Sequence, residues 1–488
     1  MNNFSLLIPE FMVAILAFLI LSLDLFLSEN KKQILGWIGS FGFLVILFVT
    51  IFVAEDGELY EGLLVFDDYT HFFRIFFLIS GGLLFLISRE YLKNRLKYQG
   101  EYYAILVFTV LAGMLLSSSS ELLTAYISLE LLSFGLYVLV AYDRYNPKSN
   151  EAGVKYVLLG AFSSALILYG LSNIYGIMGT TRFDEIALFL TSNPNFSPGL
   201  AIGFMFLLAG LGFKLAAVPF HMWAPDVYEG APLPVTTWLA IGSKVAIIAL
   251  VLRFFCTAFL PAVEEWQLVI IVLSIITMIV GNLSALVQTN IKRLLAYSSI
   301  GHVGYILMGI AALSYTDDRG VITTNLTQLV SNGIIFHIIA YSITNFAAFI
   351  CVIVVYNQTG SEKISDFAGL SDRSPLLALV LVCALFSLAG LPIFAGFTSK
   401  FYLFNAVGAQ GLLWLVGVAI AMSVVSLYYY LMVARQLYIE KGSDTTSILI
   451  PASLKSLLIV LLFGMILGGV YPKPLIQIIQ LMSNAVIS

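Results

Sequence analysis

Side chains that can carry a proton lie in or beside stretches that are otherwise apolar. Glu130 sits mid-run in LLTAYISLELLSFGLYVLV. Residues 210–244 read GLGFKLAAVPFHMWAPDVYEGAPLPVTTWLAIGSK. They hold Lys214, a break at Pro219, a polar turn with His221, Asp226 and Glu229, and Lys244 in the next apolar run. Lys400 ends GLPIFAGFTSK, His302 lies in YSSIGHVGYILMG, His337 in GIIFHIIAYS, and Lys155 stands four residues after Glu151. A lysine at bilayer depth costs roughly 2.5–3.5 kcal/mol on insertion scales. Two of them flanking one proline-rich break need a reason, and the chemistry these residue types offer is proton movement.

Each residue has a competing structural reading. Glu130 is either a titratable partner of a buried lysine or a carboxylate hydrogen-bonded to a neighbouring helix, since an ionised carboxylate there must be paired or wet. For Lys214, burial disfavours the charged ammonium and a nearby carboxylate favours it, so moving the carboxylate would gate its proton. Its alternative is a lysine snorkelling to the interface. His221 would share a face with Lys214 two turns away in an unbroken helix, but Pro219 disturbs that register; it can equally be a capped loop histidine. Gly242 and Ser243 before Lys244 allow close packing or water. Lys400 stands nearer an interface. Lys155 and Glu151 can be an ordinary surface helix pair. His302, flanked by Gly301 and Gly304, and His337 suit either a hydrated path or small-residue helix packing. One titratable group per apolar run at comparable depth, from Glu130 through Lys214, Lys244 and His302 to Lys400, suits a proton relay.

The elements that must position these groups are membrane helices. The chain has 488 residues, 60% hydrophobic and only 11% charged, with a mean hydropathy of +0.97. A soluble protein carries about 25% charged residues. Apolar runs of about 20 residues indicate helices rather than barrel strands. Basic tracts are too short for nucleic-acid binding. Cys256, Cys351 and Cys383 are far apart without CxxC spacing, and the four histidines lack ligand spacing, so no metal or redox cofactor is expected in this chain. The N-terminal MNNFSLLIPEFMV lacks a basic n-region, so the first apolar run reads as a retained helix.

Roughly fourteen spans follow: 9–28, 34–54, 70–88, 102–118, 121–142, 152–177, 200–219, 231–254, 266–288, 291–313, 327–356, 376–401, 408–434 and 450–471. Alternate loops divide by charge. One side collects Lys31, Lys32, Arg89, Lys93, Arg95, Lys97, Arg144, Lys148, Lys292, Arg293, Lys363, Arg373, Arg435 and Lys441. The other holds Glu55, Asp56, Glu58, Glu61, Glu264, Glu265, Asp317 and Asp318, with few basic residues such as Arg182 and Arg319. Basic loops inside place both termini outside. The seventh and twelfth runs share an interruption, a Leu-Ala-Gly (208–210 and 388–390) and a lysine. Paired interrupted helices point to inverted repeats. The expected organisation is a single all-α polytopic membrane domain: three N-terminal helices (1–101), two five-helix repeats (102–254, helices 4–8, and 266–438, helices 9–13), and a C-terminal helix (450–488), with helices 7 and 12 broken.

FKLAAVPFHMWAPDVYEGAPLPV resembles the signature of the antiporter-like membrane subunits of respiratory complex I, which are related to cation/proton antiporter subunits and to membrane subunits of energy-converting hydrogenases. The Asp-Val-Tyr-Glu-Gly-Ala-Pro form (226–232), SLELLSFGLYVL, SNEAGVKYVLLGAFSSALILYG (149–170) and IKRLLAYSSIGHVGYILMG (291–309) are similar to the N type. That type is the equivalent of mitochondrial subunit 2 and of the B subunit of photosynthetic NDH complexes. The resemblance implies a fourteen-helix fold with two inverted five-helix repeats. It matches Glu130 to the family's helix-5 glutamate, Lys214 to its helix-7 lysine, Lys244 to its helix-8 lysine and Lys400 to its helix-12 lysine, with Lys155 and His221 at further polar positions. It implies proton translocation driven by quinone reduction. NAD(H), FMN, iron–sulfur clusters and quinone are expected in partner subunits, M-type and K-type subunits as neighbours, and a bacterial inner membrane rather than an organellar one as the site. Two rival functions are an Mrp-type cation/proton antiporter subunit and a structural scaffold of the membrane arm.

Overall fold

The fold is that of a computed structural model describing residues 3–28, 31–53, 55–93, 98–193, 196–314, 324–442 and 446–487. Arg95, Lys97, Asp317, Asp318 and Arg319, which entered the reading of loop charge, lie outside the described residues. The chain begins with α1 (Ile8–Phe26) and α2 (Ile34–Val53), then a hairpin of β1 (Gly57–Leu59) and β2 (Leu64–Phe66). There follow α3 (Asp68–Leu92), α4 (Gln99–Ser118), α5 (Leu122–Val140), α6 (Pro147–Met178), α7 (Phe183–Ser192) and α8 (Pro198–Leu215). After a break come α9 (Trp223–Gly230), α10 (Leu233–Trp238) and α11 (Lys244–Thr257). The rest is α12 (Val263–Ala285), α13 (Ile291–Ala311), α14 (Thr324–Thr359), α15 (Leu370–Arg373), α16 (Pro375–Ala389), α17 (Ala395–Ala409), α18 (Leu413–Tyr438), α19 (Ala452–Val470) and α20 (Lys473–Ile487).

Among the described residues, thirteen helices are long and apolar enough to cross a membrane, and α16 is a shorter apolar helix. The protein is an all-α polytopic membrane protein apart from the hairpin. Between the expected spans, residues 55–69 hold the hairpin and residues 178–198 the amphipathic α7. Three-residue strands and a ten-residue helix are too short to stand out in a window tuned to membrane spans. The run expected over 376–401 is two helices, because Gly390 ends α16 in a left-handed conformation (φ +88°).

Helix ends are set by local chemistry. The Glu121 carboxylate caps α5 by accepting from the amides of Leu123 (2.9 Å) and Thr124 (2.6 Å). Asn290 does the same for α13, accepting from Lys292 N at 2.8 Å. Asn146 and Pro147 open α6, and Gly179 (φ +74°) closes it.

The chain divides into two compact units. One holds the chain through Leu215, Gly230–Trp266 and the turns from Leu481. Its core is α10–α11, whose apolar window is entirely buried. The Trp238 indole donates to Thr109 Oγ1 (2.8 Å), and Tyr69 Oη donates to the Ala249 carbonyl (2.7 Å). Arg253 grips Asp67 with two bonds of 2.8 and 2.9 Å. Arg74 grips Glu10 with bonds of 2.7 and 2.8 Å and also donates to the Leu6 carbonyl. Both Glu10 and Arg74 are buried, so removing either partner strands a charge, at a cost of about 3–5 kcal/mol. α6 and α8 meet along a seam of small residues. A Cβ on Gly170 would lie 2.7 Å from Gly203 O and from Leu207 N.

The second unit holds Ala216–Glu229 and Gln267–Gln480. Here α12 and α13 make the close approach. A Cβ on Gly281 would lie 2.5 Å from Gly301 N, and one on Gly304 would lie 2.8 Å from Met278 N. Ser274 Oγ donates to the Gly304 carbonyl at 2.8 Å.

Two outcomes follow from this packing. Gly170→Leu is expected to destabilise the protein by about 1–3 kcal/mol through overpacking, read as a lower thermal unfolding midpoint in detergent. Gly176→Ala, whose new Cβ meets nothing within 4 Å, does not lower the midpoint. The second concerns acid. Burial alone would raise the Asp67 carboxyl, but the Arg253 charge, its hydrogen bonds and the Thr70 amide outweigh it and hold the group below its ordinary value. A carboxyl lowered on folding adds stability above its unfolded-state pKa of about 3.9, and that stability is lost as pH falls through the folded value. Asp67→Asn therefore removes part of the acid sensitivity of unfolding below about pH 4, measured as midpoint against pH.

Candidate functional site

In the first unit, Glu130 and Lys214 meet. Lys214 stands in the last turn of α8, where the helix dipole favours a cation. Its ammonium lies 3.4 Å from Glu130 Oε1, with side-chain exposures of only 4% and 12%. The ammonium donates to Ser133 Oγ at 2.7 Å and lies 3.5 Å from Ser164 Oγ. Ser164 in turn donates to Glu130 Oε1 at 2.6 Å. The Ser133 hydroxyl proton goes to the Leu129 carbonyl (2.8 Å), which turns its lone pairs toward the lysine. The Tyr137 ring centroid lies 5.9 Å from the ammonium. Small residues make room: a Cβ on Gly160 would run into Tyr137, and Ser163 Oγ donates to the Gly210 carbonyl at 3.1 Å.

Lys244 belongs to the same unit and is 3% exposed. It follows a π-helical turn over Leu239–Ser243. Such bulges mark places where a helix re-aims a side chain, often at functional sites. Gly242 permits this one, since any Cβ there would enter the Trp238 ring. Lys155 lies near the start of α6, partly exposed, and pairs with Glu151 at 2.7 Å as the spacing suggested.

The second unit holds His302, His337 and Lys400. Gly301 and Gly304 face α12, which leaves His302 to face α14. There its Nδ1 lies 3.2 Å from His337 Nε2, with the rings stacked at 5.3 Å. His337 Nδ1 lies 3.2 Å from Ser399 Oγ. A proton entering at one imidazole can leave from the other, because each ring nitrogen exchanges donor and acceptor roles. His337 had no sequence feature to separate it from ordinary helix packing; its partner across α13 and α14 does so.

Lys400 is 4% exposed and reaches back to the end of α16. Its ammonium donates to the carbonyls of Leu388 (2.8 Å) and Ala389 (3.1 Å) and to Ser423 Oγ (3.0 Å). The turn at Gly390 uses the carbonyls of Phe386 and Ser387, which leaves that of Leu388 for the lysine and that of Ala389 for the lysine and Ser423 Oγ (3.1 Å) together. The Tyr305 ring lies 5.0 Å from the ammonium and 5.5 Å from the His302 ring. A cavity of about 280 Å³ lined by Gly390, Phe401 and Ser423 reaches Lys400.

His221 is buried in the turn between α8 and α9, in the second unit. α8 ends at Leu215, so the seven-residue spacing from Lys214 does not run along one helix. Sequence reading missed the hydroxyls that hold the lysines: Ser133, Ser164 and Ser423. Ser133 stands one turn after Glu130, a spacing that could have signalled a shared helix face.

A family model described as "NADH:quinone oxidoreductase/Mrp antiporter, TM" matches residues 119–426. The chain is 40% identical over 484 residues to NADH-quinone oxidoreductase subunit N of Desulforamulus reducens, covering 99% of this chain and 98% of that one. It is 41% identical over 480 residues to the subunit N of Heliobacterium modesticaldum, covering 98% of each. Among solved structures, a chain of respiratory complex I from Thermus thermophilus with bound aureothin superposes with a TM-score of 0.79 at 26% identity, over 96% of this chain and 99% of that one. The buried Glu130–Lys214 pair and the interrupted α16–α17 helix holding Lys400 therefore stand in a chain that belongs to the NADH:quinone oxidoreductase/Mrp antiporter membrane family, among its N-type subunits.

Proposed function

We propose that this chain is the proton-translocating N-type membrane subunit of a complex I-type NADH:quinone oxidoreductase, and that Glu130, Lys214, Lys244, the His302–His337 pair and Lys400 carry the protons. The observation that carries this reading is the Glu130–Lys214 pair at 3.4 Å, closed off from solvent and tied together by two serines. At an effective dielectric of about 20, two unit charges at that distance attract by about 5 kcal/mol. Separating them by a few ångströms removes roughly half of this. Burial then works against the bare ammonium, and a small movement decides whether Lys214 keeps its proton.

The relay order follows the chain: Glu130 and Lys214 first, then Lys244, then His302 and His337, and Lys400 last. Lys400 suits a terminal carrier. Among the described residues its hydrogen-bond partners are carbonyls and a hydroxyl, so a proton there is held by dipoles and not by a counter-charge. His221 and Lys155 are further members of the polar set. Quinone reduction on partner subunits supplies the driving force, and NAD(H), FMN and iron–sulfur clusters belong to those subunits. M-type and K-type subunits are the neighbours. Residues 102–254 and 266–438 read as the two inverted repeats, in a bacterial inner membrane with both termini on the outer side, in keeping with the charge of the loops.

Lys214→Ala in the assembled complex is expected to abolish proton pumping in membrane vesicles and to lower coupled quinone reduction. Normal pumping with normal assembly would return the lysine to a structural role. Ser133→Ala keeps both charges and removes one charge-assisted hydrogen bond of about 1.5–3 kcal/mol, so pumping is expected to fall about tenfold without loss of the complex. An Mrp-type antiporter would instead show cation-dependent exchange that needs no quinone.

A further inference from the structure

The turn from Ala216 to Met222 joins α8 to α9 and carries His221. Pro219 removes a backbone donor, so the stretch does not continue the helical ladder of α8. Two clamps in the second unit hold its ends. At the near end, the Val218 amide donates to Thr277 Oγ1 on α12 at 3.0 Å. At the far end, Arg293 on α13 holds α9. Its Nη1 donates to Asp226 Oδ1 at 2.7 Å and to Glu229 Oε2 at 3.0 Å. Asp226 and Glu229 are three residues apart, so both carboxylates project from one face of the short helix. The Ala224 amide donates to the His221 carbonyl at 2.9 Å, which couples the histidine to the start of α9. Between exposed Pro219 and exposed Met222, His221 is turned inward.

We infer that Arg293 is a positioning residue for proton translocation: by bridging Asp226 and Glu229 it fixes α9 and, through it, the inward aim of His221. The inference rests on the reading of His221 as a member of the relay. A guanidinium stays charged and cannot hand a proton on, so Arg293 is not itself a carrier. Asp226 and Glu229 serve as its anchors, which accounts for two acidic residues in the polar turn that the relay does not use. Arg293 stands on the helix that also carries His302, nine residues further on, so one helix holds the turn with its first turn and presents an imidazole from its middle.

The test uses the assembled complex in proteoliposomes. Three variants, Arg293→Gln, Arg293→Lys and His221→Gln, are compared with the double variant Arg293→Gln/His221→Gln. The readouts are protons moved per quinone reduced and hydrogen exchange of peptides covering residues 216–230. Arg293→Gln is expected to speed exchange in those peptides several-fold and to lower the proton yield. Arg293→Lys, which keeps a cation between the carboxylates, recovers most of both. The double variant pumps no worse than His221→Gln alone, because the arginine acts through the histidine. Should Arg293→Gln fail to assemble, Asp226→Asn and Glu229→Gln each remove half the bridge and are expected to give the same exchange signature in weaker form. Unchanged exchange in Arg293→Gln, or effects of the two single changes that multiply, overturns the proposal. Full pumping by His221→Gln with faster exchange in Arg293→Gln separates the two ideas: the clamp stands, and the role of His221 in the relay, with the functional half of the inference, falls.

Discussion

A helix that breaks inside a membrane leaves backbone groups that water cannot satisfy. That constraint organises the chemistry of this chain. At Gly390 the chain turns out of α16, and the turn takes up only the carbonyls of Phe386 and Ser387. Of the next two carbonyls, that of Leu388 accepts from Lys400 and that of Ala389 from both Lys400 and Ser423 Oγ. The ammonium and the break solve each other's problem. The lysine gains acceptors and the negative end of a helix dipole, and the helix end gains a donor. The same logic governs the earlier break, where α8 ends with Lys214 in its last turn and Val218 N finds Thr277.

The two lysines are nevertheless stabilised in different ways. Lys214 has a counter-charge, Glu130, and two hydroxyls that touch both partners or steer the lone pairs they see. Lys400 has dipoles alone among its hydrogen-bond partners in the described residues. A charge pair loses its attraction steeply when its members part, whereas a set of fixed dipoles does not depend on the movement of any single group.

Small residues make both arrangements possible. Gly160, Gly170 and Gly203 let α6 sit against its neighbours closely enough for Ser164 to reach Glu130. Gly301 and Gly304 press one face of α13 onto α12, which assigns the opposite side of His302 to His337. Packing through small residues and the contact with a second imidazole thus occupy different faces of one helix. The buried pairs Glu10–Arg74 and Asp67–Arg253 belong to the same economy of polar groups. In both, an arginine and a carboxylate from distant stretches of chain meet within one unit.

The all-α membrane class and the whereabouts of the breaks were legible in the sequence, whereas the fourteen expected spans become thirteen membrane-length helices and the shorter α16 among the described residues. Hydropathy over about 20 residues is a local property that survives without tertiary context. Glycine and proline act on their own backbone. Glu130, Lys214, Lys244 and Lys400 were legible because a charge in an apolar run is conspicuous wherever the run is placed. What only the tertiary structure decided is which groups touch. Ser133, Ser164 and Ser423 are unremarkable in one dimension, since serine is common in membrane helices and its hydroxyl usually bonds its own backbone. They matter here because α5 and α6 bring Ser133 and Ser164 to Lys214, and α18 brings Ser423 to Lys400. His337 joins His302 across 35 residues of sequence, and Arg293 joins Asp226 across 67. Pairings at such separations follow from how helices pack, and packing depends on shapes summed over the whole chain.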